Sequence, residues 1–455
     1  MLQLTRSQLN TEIRACLTLA LPLAGAQLAQ AATGFADTVM MGLLGSEVLA
    51  AGGLGATTFQ GCLLVSSSIV SAVSPIAASA FGAGKTQELG KIVRQGMGLA
   101  VLLSVPIVVL LAFSRPLFLW LGQEESVAVQ SEAYLKAIVW GFPAGLGFAV
   151  LRHFVSALSE PRPVIVIMVC GTIFNIFGNY VLMFGKLGLP ALGLAGIGYA
   201  SSLSLWGMFV ALLLYCRQPR YRKYGLFRDL YQFEGRLLRE LLHIGIPLGI
   251  LTAAEAGLFT VTTFLMGQLG TVTLAAHQIA LQTAAITFMI PLGISFATTI
   301  LVGQRMGQQD LRGARLAGFT GMGLGVVFMA AMALLFWTVP EAIVSLYLNV
   351  NDSGNREVVL LAGQLLGVAA MFQIVDGLQV TAVGALRGLK DTRIPMLIGL
   401  LAYWGMGLSC GYWLGLRLGY GGVGLWWGLA IGLAFAAGIL TWRFRALTDQ
   451  PWAPR

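Results

Sequence analysis

The sequence predicts an all-α integral membrane protein whose twelve transmembrane helices form two parallel six-helix repeats, and three observations carry that prediction. Hydrophobic residues fill 57% of the 455 positions and charged residues only 10%, which leaves too little polar side chain to cover an ordinary soluble surface. Apolar stretches sufficient for the ~20 residues that a helix needs to cross a bilayer recur along the whole chain. The chain also matches itself when displaced by 225 residues.

In the first half the predicted spans lie near 14–43, 47–74, 95–121, 133–157, 163–185 and 192–216. The first carries Pro22 and a polar stripe of Gln27, Gln30, Thr33 and Asp37 at helical spacing. The fourth closes on Arg152 and His153, and the fifth holds Asn175 and Asn179. In the second half the spans lie near 240–268, 272–301, 316–339, 357–385, 394–415 and 422–443. Here Thr252, Glu255 and Thr262 share one face of the seventh span, Gln278 and Gln282 stand one turn apart on the eighth, and Gln373, Asp376 and Gln379 mark the tenth.

The displacement places Met41-Gly42, Leu44-Gly45 and Leu49-Ala50-Ala51 on Met266-Gly267, Leu269-Gly270 and Leu274-Ala275-Ala276, and Pro22 on Pro247. An even number of spans per repeat makes the repeats parallel, and transporters of this build place their sites near the bilayer midplane. The expected domains are an amino-terminal lobe, 1–216, a basic linker, 217–239, and a carboxyl-terminal lobe, 240–455. The linker reads either as a helix lying on the inner surface or as a solvated loop. Pro22 and Pro247 are expected to bend their helices, since proline removes a backbone hydrogen bond. Ala29-Gln30-Ala31 resembles a signal-cleavage site, but residues 21–51 have a full counterpart in the second half, which argues against cleavage.

With the amino terminus inside, 23 of the 28 lysines and arginines fall in cytoplasmic segments, so both termini are expected to be cytoplasmic. The net charge of +9 then reports topology and contact with membrane lipid, and the dispersal of basic residues over short loops argues against nucleic-acid binding.

Asp37, Glu255 and Asp376 are the acidic residues that fall near the middle of spans. Each costs roughly 2.5–3.5 kcal/mol at a helix centre on insertion scales, so each calls for a use, with ion or proton coupling the leading one. The bland alternative is interhelical hydrogen bonding, which accounts for several glutamines and threonines better than for carboxylates. A desolvated carboxyl group exchanges protons near neutrality, and two carboxyls sharing a site repel until a proton or sodium ion relieves them. Entry of one such ion down 100 mV supplies about 2.3 kcal/mol.

Other chemistries find little support. Ser79–Thr86 ends like a phosphate-binding loop but lacks its first glycine and follows no strand. His153, His243 and His277 are scattered without metal spacing, and His277 reads as a satisfied structural histidine. The five cysteines form no CxxC pair and read as small core residues. No enzyme activity and no cofactor are expected. The 58 glycines generate GxxxG spacings by chance, and no helix interface is read from them.

Leu21-Pro22, the run Ala36-Asp37-Thr38-Val39-Met40-Met41-Gly42, Leu274-Ala275-Ala276-His277-Gln278, and Ala385-Leu386-Arg387-Gly388 followed by Asp391-Thr392-Arg393-Ile394-Pro395 resemble the multidrug and toxic compound extrusion (MATE) family over essentially the full chain. The Glu255 and Asp376 pair resembles its NorM branch. The resemblance implies a V-shaped pair of lobes, a functional monomer in the cell inner membrane, and export of organic cations and amphiphilic drugs in antiport with sodium ions or protons, as in antibiotic resistance. It also implies an amino-lobe polar site of Asp37, Asn175 and Asn179, and a carboxyl-lobe cation site of Glu255 and Asp376 that can hold a sodium ion. Gln30, Gln278, Gln282, Phe288 and Phe372 are the expected supporting residues. Phe372 stands one turn before Asp376, where some members of the family carry tyrosine; it keeps a ring for cation–π contact without the hydroxyl. The rival readings are a flippase or exporter of a lipid-linked metabolite in the same superfamily, a sodium-driven importer, and a membrane enzyme. A flippase handling pyrophosphate calls for mid-span lysine or arginine, and no predicted span carries one there.

Overall fold

The computed structural model describes residues 6–226, 228 and 234–449. Its described residues contain twelve helices long and apolar enough to cross a membrane. In the first half these are α1 Ser7–Leu43, α2 Ser46–Gly82, α3 Thr86–Ala112, α4 Glu125–Ala157, α5 Arg162–Phe184 and α6 Gly193–Tyr215. In the second they are α7 Gly235–Gln268, α8 Thr271–Gly307, α9 Leu311–Thr338, α10 Ser353–Gly388, α11 Arg393–Arg417 and α12 Gly421–Asp449. Each helix overlaps one predicted span, so the hydropathy pattern located every crossing, while the ends moved. The largest shift is in α3, which runs from Thr86 to Ala112 where the hydropathy pattern predicts 95–121, and α2 continues past the predicted end at 74 to Gly82 through a turn at Ser71 and Ala72. Ser71 Oγ donates to Ser68 O at 2.7 Å, and Pro75 falls in the first turn of the resumed helix, where its missing N–H leaves nothing unpaired.

Packing divides the chain into two compact units, and the division differs from the sequence halves. One unit is Gly25–Gly249; the other joins the described residues through Ala24 to those from Ile250 onward. The changeover points in α1 and α7 are themselves 225 residues apart, just past Pro22 and Pro247, and both helices continue through their prolines. Missing side chains allow the close approaches. A Cβ on Gly249 would lie 2.6 Å from Ile69 Cγ1 in the first unit, and one on Gly293 would lie 2.6 Å from Ala24 N in the second.

The linker is neither a surface helix nor a solvated loop over its described part, although residues 227 and 229–233 lie outside the described residues. Pro219–Tyr224 forms a short 3₁₀ helix whose Tyr221 and Tyr224 are buried. Phe154 meets Tyr224 edge-on with ring centroids 5.9 Å apart, and Arg94 donates to Gly225 O at 2.9 Å. The tyrosines between the arginines carry apolar surface that is better buried against α3 and α4 than left in water.

One glycine pattern set aside in the sequence proves structural. Gly407, Gly411 and Gly415 of α11 face Gly424, Gly428 and Gly432 of α12, and a Cβ on Gly432 would lie 2.7 Å from Gly407 Cα. Two π-helical stretches, Leu401–Leu408 and Trp413–Arg417, occur in this part of α11. With no side chains between them the two backbones pack directly, which is how apolar helices associate where no hydrophobic effect drives them together.

Candidate functional sites within the two units

In the Gly25–Gly249 unit, α1, α5 and α6 converge on Asp37. Gly196 lets α6 approach α5 closely, since a Cβ there would lie 2.7 Å from Leu182 O. The same two helices also bring Gly178 and Ala200 together, with a would-be Cβ contact of 3.2 Å. Asn179 Nδ2 donates to Asp37 Oδ1 at 2.6 Å, and Ser201 Oγ donates to Asp37 Oδ2 at 3.3 Å. Asn175 Nδ2 donates to Ser201 Oγ at 2.9 Å, and its Oδ1 accepts a second bond from Asn179 Nδ2 at 3.2 Å. Asp37 is 7% exposed, Asn175 1% and Asn179 0%, and among the described residues Asp37 makes no salt bridge.

The site therefore holds one carboxylate with neutral donors alone. Among the described residues, Asn179 Oδ1 is buried without a hydrogen-bond partner, so a hard oxygen acceptor beside the carboxylate is unused. Oxygen donors of this kind suit a hard cation or a proton. The structure brings Asp37, Asn175 and Asn179 together; Gln30, exposed, stands outside the network. Ser201 was missed, and its only sequence signal was the cluster Ser201, Ser202 and Ser204 in an otherwise apolar span.

In the second unit, α7 and α10 bring Glu255 and Asp376 within electrostatic reach of each other, and both act on the buried hydroxyl of Tyr403 in α11. The seating of α10 is fixed by Gly325 and Gly377, where a Cβ on either would lie 3.2 Å from the other's carbonyl oxygen. Asp376 is 6% exposed, and among the described residues neither carboxylate makes a salt bridge. Gln379 Nε2 donates to Tyr403 Oη at 2.7 Å, and Gln373 Oε1 accepts from Thr287 Oγ1 at 3.1 Å while its amide nitrogen is buried without a partner.

Phe372 is buried and packs edge-on against Phe259 at 6.3 Å and Trp426 at 5.3 Å between centroids. Trp426 Nε1 donates to His277 Nδ1 at 3.2 Å, which leaves Nε2 to donate to Thr263 Oγ1 at 3.0 Å, and that hydroxyl in turn donates to Phe259 O at 2.9 Å. His277 is thus a fully bonded core residue, as its sequence context suggested. Gln278 and Gln282 are exposed and Phe288 is half-buried, and none of them joins a hydrogen bond described for this cluster. Tyr403 and Trp426 are the members that sequence reasoning missed.

The MatE family model matches residues 22–181 and 247–413, once in each half. The chain is 44% identical to a probable multidrug resistance protein NorM of Synechocystis sp. over 97% of this chain and 96% of that protein. It is 42% identical to the multidrug resistance protein NorM of Burkholderia vietnamiensis, over 95% of this chain and 93% of that one. Among solved structures, an outward-facing multidrug resistance MATE family transporter superposes with a TM-score of 0.88 at 17% identity, covering 96% of both chains. The eukaryotic MATE transporter AtDTX14 superposes with a TM-score of 0.84 at 20% identity, covering 97% of this chain and 98% of that one.

Proposed function

The chain belongs to the MATE family of membrane transporters, in its NorM-like branch, and from that premise we propose that it is a multidrug efflux transporter exporting organic cations and amphiphilic drugs in exchange for sodium ions or protons. The observation that carries the coupling half of this reading is the buried Asp37 carboxylate, held by Asn179 and Ser201 without a positive partner. A charge kept in that state attracts a cation, and neutralising it weakens the attraction for any second cation. Glu255 and Asp376 form the corresponding site of the other unit, where a proton or sodium ion relieves their mutual repulsion.

Coupling then follows from differential binding. An ion that binds one state of the transporter better than the other shifts the equilibrium by that difference, and a drug released in the ion-favoured state is exported. The protein carries out no covalent step in this scheme and needs no cofactor. It works as a monomer in the inner membrane with both termini cytoplasmic, consistent with the basic residues gathered on one side.

The test is movement of a fluorescent cationic dye in proteoliposomes, with sodium and proton gradients imposed separately at a clamped potential. Dye movement driven by one gradient and abolished in both Asp37→Asn and Asp376→Asn supports the reading and names the ion. Transport that keeps its ion dependence in both variants rejects it.

A further inference from the structure

We propose that the cleft between the basic ends of α9 and α12 is a binding site for the headgroup of an anionic phospholipid. The cleft encloses about 490 Å³ and is walled by Arg315 and Phe319 from α9 and by Gly438, Thr441, Trp442 and Arg445 from α12. It lies wholly within one unit, and none of its lining residues belongs to the Glu255 and Asp376 cluster.

Three features fit a lipid carrying a phosphodiester. The charge is complementary: Asp449 pairs with Arg315 and reaches Arg445 at 3.5 Å, so one carboxylate answers two guanidinium groups and one positive charge is left over. Among the described residues, Arg315 Nε and Thr441 Oγ1 are buried without hydrogen-bond partners, so two donors on the walls are unused there. The frame is amphipathic: Trp442 is 67% exposed beside the arginines, the position an indole takes at the boundary between headgroups and acyl chains. Gly438 faces open space one turn deeper, where a side chain would otherwise begin to fill the path of an acyl chain. Basic pockets between transmembrane helices near the interface are the general form of such sites.

Asp449 gives the proposal a signed test, because it occupies the arginines that the phosphate would take. Full-length protein is titrated in mixed micelles with phosphatidylglycerol, with phosphatidylcholine, and with soluble glycerol phosphate, and binding is followed by native mass spectrometry. Wild type binds phosphatidylglycerol more tightly than phosphatidylcholine. Arg445→Gln weakens phosphatidylglycerol about fivefold and leaves phosphatidylcholine unchanged. Asp449→Asn tightens phosphatidylglycerol, the opposite of what simple damage to the helix ends produces. Equal binding of the two lipids, or weaker phosphatidylglycerol binding in Asp449→Asn, overturns the proposal. Glycerol phosphate competing as well as the intact lipid overturns the lipid assignment in favour of a soluble phosphate.

Discussion

Gly45 and Gly270, one full repeat apart, hold the same backbone conformation, φ 115° with ψ 165° and 166°, each at the residue that opens a membrane helix. That region is open to glycine and nearly closed to every other residue. A duplicated chain that keeps it twice has kept the entry angles of α2 and α8. A Cβ would meet nothing within 4 Å at either site, so substitution there strains the backbone alone. Gly45→Ala and Gly270→Ala are each expected to cost about 1–3 kcal/mol, read as a drop in thermal unfolding midpoint of the purified protein. Gly53→Ala, where the helical backbone already suits alanine and the space is open, is the matched control and should be neutral or slightly stabilising.

Ser201 separates a coupling role for Asp37 from a purely structural one. Its hydroxyl donates to Asp37 and accepts from Asn175, so Ser201→Ala removes one neutral hydrogen bond to the carboxylate and leaves the charge in place. About 1 kcal/mol is at stake, or roughly a fivefold change in the ion concentration for half-maximal dye export. Asp37→Asn should instead abolish the ion dependence while the protein still folds, because an asparagine oxygen can accept from Asn179. A fully ion-coupled Asp37→Asn would show that the carboxylate serves packing only.

The seam between α11 and α12 leads to a prediction about stability in the membrane. A Cβ on Gly432 would lie 2.5 Å from Ala402 O and 2.7 Å from Gly407 Cα, both backbone atoms that cannot turn aside. Gly432→Ala is expected to force the two helices apart and cost about 1–3 kcal/mol. Gly98→Ala in α3, with nothing within 4 Å, should not. Comparing the two by thermal unfolding in detergent separates the close approach from the general effect of replacing a helical glycine.

These cases mark what was legible in the chain. Asp37, Glu255 and Asp376 stood out because a charge in an apolar run is conspicuous at any resolution, and the twelve crossings followed from length and hydropathy alone. Ser201, Tyr403 and Trp426 did not stand out, because a serine or an aromatic residue is ordinary in a membrane span until the helix beside it is known. The glycine seam was hidden by abundance: among 58 glycines, only spatial neighbours tell a chance spacing from an interface. The changeover of α1 and α7 between units escaped for another reason, since a repeat in sequence reports ancestry and not which unit a segment packs against.

Tyr221 supplies a pH dependence outside the membrane. Burial, together with its 2.6 Å hydrogen bond to Glu160, keeps the hydroxyl protonated above the usual tyrosine range. A group whose folded pKa exceeds its unfolded value contributes stability that is fully present below the unfolded value, near 10, and lost as the pH rises through the folded one. Tyr221→Phe should therefore flatten the decline of the unfolding midpoint at alkaline pH. At neutral pH it should cost about 1 kcal/mol, because Arg220 at 3.2 Å remains on Glu160. An unchanged alkaline limb would mean that Tyr221 contributes packing alone.

Glu12 and Arg305 hold the first segment of α1 to the later part of its own unit, which resumes at Ile250. Glu12 is 4% exposed; one of its oxygens pairs with Arg305 and the other, Oε2, is buried without a partner. Arg305 also lies 3.6 Å from Asp310, which accepts from Gly313 N at 2.8 Å to cap α9. Removing the arginine leaves a buried carboxylate with no counter-charge, and breaking a fully buried pair costs about 3–5 kcal/mol. Because the Arg305 side chain is 36% exposed, Arg305→Gln is expected to cost less, about 2 kcal/mol. Glu12→Gln in the same chain should restore most of it, since a neutral amide needs no counter-charge. A double-mutant cycle on the unfolding midpoint reads the coupling directly. Additive losses would show that the two side chains do not depend on each other, and that the segment before Pro22 is held by its apolar contacts alone.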